Sequence, residues 1–384
     1  MESTVTDDPQ KIHEEIRLFC QREVEPHRKE LEQNLELRRK LYHKFAANGW
    51  FACNSPNRLG GRQLDGVTYA RTLSQVAEFD GGVAVAFSVS NWVSEAIYLY
   101  GTEEQKQQYL PKLANGELVG GCFALTEESA GSDAKNIHTT ATSTKEGYCI
   151  NGDKRWITNG NLADICIVFA KVPSADGHGI TAFLVDRKTP GWSVSQVVEK
   201  MGLLTVNLTC LKFEKCEIPC SARLGEEGQG LSIALAMLDR GRIGIAAQAQ
   251  GIAAAAYKAS VDHAKQREQF DRPIGAFEAV AFKLADMKVK LDAMDLLTSK
   301  AAALRDSGQR FTQEAAIAKL YASEACNQIT ADAVQIHGGY GYIKEYPVER
   351  YYRDARITTI YEGTSEIQRV VIARHILGDI FQGV

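Results

Sequence analysis

The spacing of apolar residues changes twice along this chain of 384 residues, and that change constrains the fold more than any other feature. The spacing is helical up to about Gly116, has a period of two from about Gly121 to Pro219, and is helical again after Gly228. Because helices and strands bury side chains at different intervals, each change of period marks a change of secondary structure. We therefore expect an α+β fold with three domains, over residues 1–118, 119–225 and 226–384.

The first domain is expected to be all α-helical. Asp8 can cap a helix whose first residue is Pro9, a position at which proline sacrifices no hydrogen bond. Asn48-Gly49 is typical of a helix end, because glycine readily adopts the left-handed conformation there. Further helices are predicted over residues 37–47, 69–79 and 105–113.

The second domain, of roughly 100 residues, is expected to be a β-barrel or β-sandwich, since both are common at this size. Asn151-Gly152 is the turn dipeptide of a tight hairpin and predicts one strand before it and another after it. Short β-branched runs bounded by Gly, Pro or Asp predict further strands over residues 163–172, 180–185, 193–198 and 206–213.

The third domain is expected to be an antiparallel helical bundle. It contains no proline from Ala276 to Tyr346, and proline would break the interior of a helix. Each predicted helix has a wide apolar stripe that needs partner helices to cover it. These helices are predicted over residues 231–266, 279–304 and 312–336.

Composition and charge exclude several classes of protein. A net charge of −4 gives no general attraction to nucleic acid or acidic lipid. The N-terminus lacks the features of a signal peptide, and the apolar stretch 231–256 is interrupted by charges, so we expect neither export nor an integral membrane segment. The nine cysteines form no Cys-x-x-Cys pair, which predicts reduced thiols, no metal site and an intracellular, cytoplasmic protein.

Two segments of the β domain could contact a ligand, although each has an ordinary structural explanation when taken alone. Residues 123–133 are rich in small and hydroxyl side chains, a composition that a solvated loop also favours. Residues 154–160 place the aromatic plane of Trp156 near the hydroxyl of Thr158, although a tryptophan of the core would fit the same pattern.

Two segments of the third domain are similarly ambiguous. Residues 335–342 contain Gly338-Gly339, which suits either a close approach of backbone to ligand or a helix end. Residues 360–369 place Glu362 just before Thr364-Ser365, which are good helix-capping residues. A carboxylate before a helix start is usually a capping or solvated group, so this segment alone does not indicate catalysis.

Taken together, these motifs resemble those of the acyl-CoA dehydrogenase family. Six of them occur in one order over nearly the whole chain: TE-x-x-AGSD from 126, K-x-WITNG from 154, D-x-x-R from 239, R-x-x-F from 267, QI-x-GG from 335 and IYEGTSEIQR from 360. The resemblance implies a helical domain, a β domain and a C-terminal antiparallel four-helix bundle. It also implies FAD bound between the β domain and the bundle.

The resemblance further implies which residues contact FAD. Thr126 would hydrogen-bond to the flavin ring, Trp156 would shield one face of the ring, and Thr158 would lie near N5, the atom that accepts hydride. The other cofactor-binding residues implied by the motifs are Phe123, Leu125, Ser132, Ile157, Arg267, Phe270, Gln335, Ile336, His337, Gly338, Gly339, Thr364, Ser365 and Glu366.

The reaction implied by the resemblance is the α,β-dehydrogenation of an acyl-CoA to the trans-2-enoyl-CoA. Glu362 matches the family's base, which takes the α-proton as the β-hydrogen leaves as hydride to flavin N5. The backbone N–H of Glu362 would stabilise the thioester oxygen, and Gly363 would allow the close approach that this needs. Ser132, Asp239 and Arg242 would contact the substrate, although the last two are spaced like an ordinary i,i+3 ion pair.

The electrons would then pass to electron-transferring flavoprotein, and the family's homotetramer is expected. One branch of the family carries its base on the long helix, but Gly241 stands there, so Glu362 is the expected base. Residues 242–248 resemble short-chain or short-branched-chain members most, which predicts a short acyl-CoA substrate. Two alternatives stay open: an oxidase that passes electrons to oxygen, and a non-catalytic scaffold that binds acyl-CoA or FAD.

Three residues depart from the family pattern. Glu128 replaces a proline, Asp271 replaces a glycine, and Glu278 replaces a glutamine near the expected FAD phosphates. Two carboxylates would repel a pyrophosphate unless they are screened or turned away. We therefore expect FAD to bind, with an affinity that these carboxylates can reduce.

Overall fold

A computed structural model of the chain describes residues 8–174 and 177–383. Helix α1 begins as the sequence predicts, because the Asp8 carboxylate accepts a hydrogen bond from the backbone N–H of Gln10. Gly49 is left-handed after α3, with φ of +72°, as the Asn-Gly pair predicts. The helices of this region are α1 (Pro9–Glu23), α2 (Arg28–Leu31), α3 (Leu35–Ala47), α4 (Gly66–Phe79), α5 (Gly81–Tyr100) and α6 (Glu103–Asn115).

Helix α5 is the longest helix that the apolar periodicity does not predict. Every residue from Gly81 to Ile97 is buried, so no polar face alternates with an apolar one. The helix begins at Asp80, whose carboxylate accepts hydrogen bonds of 2.9 Å from the backbone N–H groups of Gly82 and Val83. It contacts both the sheet and the C-terminal helices, and therefore forms part of the core shared by the three regions.

The middle region is one eight-stranded sheet, with strand order β6-β7-β3-β2-β4-β5-β8 and β1 paired in parallel with β4. Its strands are β1 (Gly121–Ala124), β2 (Thr140–Ser143), β3 (Gly147–Thr158), β4 (Ile165–Ser174), β5 (Gly177–Asp186), β6 (Trp192–Val197), β7 (Leu208–Pro219) and β8 (Arg223–Leu224). Alternate residues of β4 face opposite ways. Ile167 and Phe169 pack with the helices, whereas Val168 packs with Phe213 of β7.

The α+β class is confirmed, but the barrel alternative for the middle domain is wrong. Among the described strands, β6 and β8 lie at the two ends of the sheet and do not pair with each other. Closing a barrel requires long, tilted and staggered strands. Strand β8 is only two residues long, so it cannot supply such a closing ladder.

The hairpin predicted at Asn151-Gly152 is also wrong. Strand β3 runs without interruption through this dipeptide, and its pairing with β7 shifts register between Ile150 and Gly152. A Cβ on Gly152 would lie 2.4 Å from Thr139 Oγ1, so this glycine permits a close approach of β3 to the neighbouring segment. The Asn-Gly signal therefore marks a β-bulge rather than a turn.

The helical C-terminal region is confirmed. Its helices are α7 (Gly230–Gln266), α8 (Glu278–Asp306), α9 (Thr312–His337), α10 (Val348–Arg356) and α11 (Ser365–Leu377), with short strands β9 (Glu268–Gln269) and β10 (Arg272–Pro273) after α7. Helices α7, α8 and α9 pack against one another, and α10 and α11 pack on α9. Helix α4 packs on α7 and α8, which places the N-terminal helices in the same hydrophobic core. No helix in residues 8–174 or 177–383 is long and apolar enough to cross a membrane.

Candidate active site

Glu362 lies in a tight turn between α10 and α11. Its φ is +55° and that of Gly363 is +90°, so two consecutive residues are left-handed. This conformation is costly for a residue with a side chain, and it persists only where the surroundings fix it. The side chain of Gln368 donates a 2.8 Å hydrogen bond from Nε2 to the carbonyl oxygen of Gly363, and Thr364 caps α11. Residues at the start of α11 therefore stabilise the loop that contains Glu362.

Glu362 is half-buried, and one of its two carboxylate oxygens is closed off from solvent. Its Oε2 atom is inaccessible and has no hydrogen-bond partner among the described residues. Burial raises the pKa of Glu362 well above its usual value, while the positive charges of Lys319 and Arg242 act in the opposite direction. A carboxylate oxygen that is desolvated and unpaired has a raised affinity for a proton.

Arg242 and Asp239 form the ion pair that their spacing predicts. Arg242 Nη1 donates to Asp239 Oδ1 at 2.5 Å, and the other oxygen of Asp239 accepts from the Thr312 hydroxyl at 2.7 Å. The side chain of Arg242 is buried, and its Nε has no partner among the residues described. Burial lowers the pKa of Arg242, whereas the charges of Asp239 and Glu362 raise it. The structure thus brings the charges of Arg242 and Glu362 near each other, with the Nε–H of Arg242 unpaired among the described residues.

The predicted flavin-contacting residues of the β domain differ in exposure. Trp156 is 49% exposed although it is a large aromatic residue, and its φ of +61° is unusual. The hydroxyls of Thr126 and Thr158 make no hydrogen bond to a described residue, and both residues are partly exposed. Leu125 and Ile157 are buried in the core of the protein, so they can offer a ligand mainly their backbone.

Other predicted residues of this domain line an open surface. Phe123 is half-buried between Trp92 and Phe169, with ring centroids 6.0 and 4.7 Å away. Gly131 and Ser132 are exposed, and a Cβ placed on Gly131 would meet no atom within 4 Å. Backbone groups here are therefore accessible to a ligand.

Residues predicted for the FAD phosphates and adenine lie together where α7 and α9 end. The guanidinium carbon of Arg267 is 5.3 Å from the ring centroid of Tyr340, so Arg267 is close to the Gly338-Gly339 pair. A Cβ on either glycine would meet nothing within 4 Å, and Phe270 is 87% exposed. Gln335 is exposed at the end of α9.

Two predicted residues of this group face inward instead. Ile336 and His337 are buried, at 7% and 4% exposure. His337 Nδ1 donates a 2.8 Å hydrogen bond to the carbonyl oxygen of Ala333, and its ring stacks on His263 at 4.2 Å. Their side chains thus pack within the protein at the ends of α7 and α9.

The residues that follow Glu362 form the first turn of α11. Thr364 caps the helix by accepting a hydrogen bond from the N–H of Ile367, and Glu366 is exposed. Ser365 is buried, and its hydroxyl has no partner within the described chain. A helix start with an unused hydroxyl suits an anionic ligand, although Glu366 adds a negative charge beside it.

The three departures from the family pattern have different surroundings. Glu128 forms a 3.2 Å ion pair with Arg155, which offsets its charge. Asp271 and Glu278 are exposed and form no ion pair with a described residue, and Asp271 is left-handed. Exposed aromatic rings, unpaired hydroxyls and glycines bordered by open space fit FAD, whereas these two carboxylates would oppose phosphates bound beside them.

Sequence reasoning missed three polar residues that hold this site. Lys319 of α9 is fully buried and donates a 2.6 Å hydrogen bond to the carbonyl oxygen of Gly363. Tyr361 donates to Gln248 Oε1 of α7, directly before the Glu362 turn. A lysine within the alanine-rich, otherwise apolar stretch of α9 is the one signal that could have indicated Lys319, because a lysine is rarely buried without a partner.

Family models for the N-terminal, middle and C-terminal domains of acyl-CoA dehydrogenases match residues 6–117, 122–216 and 228–377. The chain belongs to the acyl-CoA dehydrogenase family. It is therefore an FAD-dependent oxidoreductase. An acyl-CoA dehydrogenase of Bacillus subtilis is 44% identical over 376 residues, which cover 97% of this chain and 99% of that one.

Two solved structures are similarly close to this acyl-CoA dehydrogenase. Butyryl-CoA dehydrogenase from Megasphaera elsdenii has a TM-score of 0.92 and 40% identity, covering 98% of this chain and 100% of that chain. A chain from a structure of the electron transferring flavoprotein of Acidaminococcus fermentans has a TM-score of 0.93 and 41% identity, covering 99% and 100%. The similarity thus extends over all three regions.

Proposed function

We propose that this protein oxidises a short-chain acyl-CoA to the trans-2-enoyl-CoA, with Glu362 as the base that removes the α-proton. The observation that carries the proposal is the buried Oε2 atom of Glu362, which has no hydrogen-bond partner among the described residues. A substrate Cα–H would supply the proton that this oxygen lacks. FAD, when bound, would accept the β-hydrogen as hydride.

The residues around Glu362 suit this role. An α-proton of a thioester is only weakly acidic, so its removal needs a base that is not solvated by water. Burial raises the pKa of Glu362, which makes its carboxylate a stronger base than one in water. Gly363 permits the left-handed turn that follows Glu362, and in this turn the Glu362 N–H would donate to the thioester oxygen as negative charge develops there.

We propose the remaining roles by motif. Arg242 and Ser132 would contact the acyl-CoA, and Asp239 would hold Arg242 in place through its ion pair. Thr126, Trp156 and Thr158 would contact the flavin ring, while Arg267 and the Gly338-Gly339 pair would contact its phosphates and adenine. The exposed rings of Trp156 and Phe270 are consistent with the proposal, because both are available to stack on a bound ligand.

We also propose a short acyl group and electron-transferring flavoprotein as the electron acceptor. Support comes from the similarity to butyryl-CoA dehydrogenase and to the chain from the electron transferring flavoprotein structure. An enzyme that uses oxygen instead would produce peroxide without this acceptor.

The base assignment is tested by mixing the FAD-loaded protein anaerobically with butyryl-CoA and following the loss of flavin absorbance. Glu362→Gln should slow this step by about 10²- to 10⁴-fold while the variant still binds butyryl-CoA. Glu345→Gln removes an exposed carboxylate and serves as the matched control. Flavin reduction at the normal rate in Glu362→Gln would show that another group removes the proton.

The substrate and the acceptor need a separate experiment. The same mixing with C4, C5 and C8 acyl-CoAs should give the highest rate constant with C4 or C5. Turnover should then require electron-transferring flavoprotein and release little peroxide. A rate that is greatest with C8, or turnover in air without the acceptor, would contradict this part of the proposal.

A further inference from the structure

Lys319 is a fully buried lysine beside the turn that carries Glu362. Its Nζ donates a 2.6 Å hydrogen bond to the carbonyl oxygen of Gly363, and this is the one hydrogen bond that Nζ makes within the described residues. Removing an ammonium group from water is costly unless other groups compensate for it. The neighbours of Lys319 one turn away on α9 are small and buried, at Ala315, Ala316, Ala322 and Ser323, and none of them carries a charge that could compensate for the ammonium. Its presence therefore indicates a specific role.

The hydrogen bond reaches the most strained part of the site. Gly363 O also accepts from Gln368 Nε2 at 2.8 Å, so two buried side chains from different helices hold one carbonyl. That carbonyl belongs to a turn in which both Glu362 and Gly363 are left-handed. Two donors at one acceptor fix the orientation of the turn, and with it the direction of the Glu362 side chain.

The charge of Lys319 is not neutralised by an ion pair with a neighbouring carboxylate. Arg242 of α7, the other cation near Glu362, is paired with Asp239 at 2.5 Å. Lys319 forms no ion pair within 4.0 Å among the described residues. Three carboxylates nevertheless contribute negative potential at its ammonium: Glu362 in the turn, Glu366 of α11 and Glu324 of α9.

The remaining charges around this ammonium are accounted for. Glu366 is exposed to solvent, and Glu324 is paired with Arg369 at 2.6 Å. Burial lowers the pKa of Lys319 to about 8, so the side chain stays mostly protonated at neutral pH. Its positive charge therefore acts chiefly on Glu362.

We propose that Lys319 is a positioning residue for Glu362, holding the turn through Gly363 and supplying the positive charge that keeps the buried carboxylate ionised. The proposal rests on the proposed role of Glu362 as the base. A base must be deprotonated before the substrate binds, and a buried carboxylate without a nearby cation would stay protonated at neutral pH.

The two contributions of Lys319 can be separated by substitution. Lys319→Met removes the hydrogen bond and the charge, Lys319→Gln removes the charge but keeps a donor, and Lys319→Arg keeps the charge. Gln368→Met is the matched control, because it removes the other hydrogen bond to Gly363 without changing a charge. The measurement is the rate constant of flavin reduction by butyryl-CoA at pH 5 to 9, and wild type and variants are compared below pH 8, where Lys319 keeps its charge.

The wild-type rate constant should rise with pH as Glu362 loses its proton. Lys319→Met and Lys319→Gln should move the midpoint of this rise upward by about one pH unit or more, since an opposite charge nearby shifts a carboxyl pKa by this much. Lys319→Arg and Gln368→Met should keep the wild-type midpoint, and Gln368→Met should lower the rate constant alone.

A purely structural role for Lys319 would lower the rate constant of all four variants and leave every midpoint unchanged, and that result would overturn the proposal. An equal shift in Gln368→Met would overturn it too, because the hydrogen bond would then be the cause.

Flavin content and thermal unfolding identify variants that do not fold. Lys319→Arg and Lys319→Gln are the conservative pair on which the decision rests if Lys319→Met is unstable. Activity in Glu362→Gln would instead reject the proposed base itself.

Discussion

At the scale of single residues, Gly241 is a position on α7 where packing leaves no space for a side chain. A Cβ on Gly241 would lie 1.8 Å from Cζ2 of Trp92, so the helix surface carries no space for any side chain there. Trp92 is buried at 4% exposure and packs edge-on against Phe123. The glycine that the sequence places at the alternative base position is therefore required by packing as well.

Gly241→Ala tests this packing. The added methyl group must displace the Trp92 ring, and such overpacking should reduce the free energy of unfolding by about 1–3 kcal/mol in urea titrations. Gly131→Ala, at a glycine with no atom within 4 Å of its Cβ position, is the control and should change stability little. Trp92→Leu combined with Gly241→Ala should recover part of the loss. Equal stability of Gly241→Ala and wild type would show that Trp92 moves freely.

At the scale of elements, a buried ion pair connects strand β3 to the segment before β2. Lys154 Nζ donates to Glu127 Oε1 at 2.8 Å and to the carbonyl oxygen of Leu125 at 3.0 Å. Glu127 also accepts a 3.0 Å hydrogen bond from the backbone N–H of Thr139, and both charged side chains are almost fully buried. Lys154 thus holds both Leu125 and Glu127, the two residues on either side of Thr126.

Lys154→Met should cost about 3–5 kcal/mol of unfolding free energy, because it leaves the Glu127 carboxylate buried without its counter-ion. The double variant Lys154→Met with Glu127→Gln should lose less than Lys154→Met alone. Arg17→Met, which removes an exposed ion pair with Glu14, is the control and should cost under ~1 kcal/mol. Urea unfolding measures all of these changes. Equal losses in Lys154→Met and Arg17→Met would contradict the role of burial.

A second element-scale feature is the carboxyl of Asp354 on α10, which accepts a hydrogen bond from the backbone N–H of Leu203. Burial, followed by the charge of Asp80, raises the pKa of Asp354 to about 7. The folded state therefore holds a proton that the unfolded chain releases near pH 4. The contribution of Asp354 to the free energy of unfolding is complete below that pH and is lost as the pH rises through 7.

Asp354→Asn should remove this pH dependence, because the amide keeps an acceptor oxygen for Leu203 and does not titrate. Between pH 5 and pH 8, the fall in unfolding free energy should be smaller in the variant than in the wild type by ~2 kcal/mol. Urea titrations at the two pH values measure it. Parallel pH profiles would show that Asp354 does not titrate in this range.

At the scale of the whole molecule, helix α8 leaves an apolar stripe uncovered. Phe282, Val289 and Leu296 are spaced seven residues apart and are 63%, 67% and 70% exposed. That spacing places them on one side of the helix, in the pattern of a helix–helix seam. The stripe supports the homotetramer proposed from the family resemblance, because a contiguous apolar face is normally covered by another subunit.

Val289→Glu combined with Leu296→Glu should produce a smaller species than the wild type, because two carboxylates would be buried at the seam. Light scattering coupled to size-exclusion chromatography measures the mass. Leu18→Glu, at an exposed leucine of α1, is the control and should keep the wild-type mass. A wild-type monomer, or an unchanged mass in the double variant, would contradict a seam at α8.

The sequence alone determined the order of helices, sheet and helices, because side-chain spacing follows directly from the geometry of each element. It also determined the start of α1 at Pro9 and the position of Glu362 before a helix, since capping residues act locally. Only the tertiary structure decided the features that depend on distant packing. Helix α5 has no polar face to reveal it, and Gly152 forms a bulge because Thr139 approaches it. Lys319 reaches Gly363 across 44 positions of sequence, so no local pattern could relate its charge to Glu362.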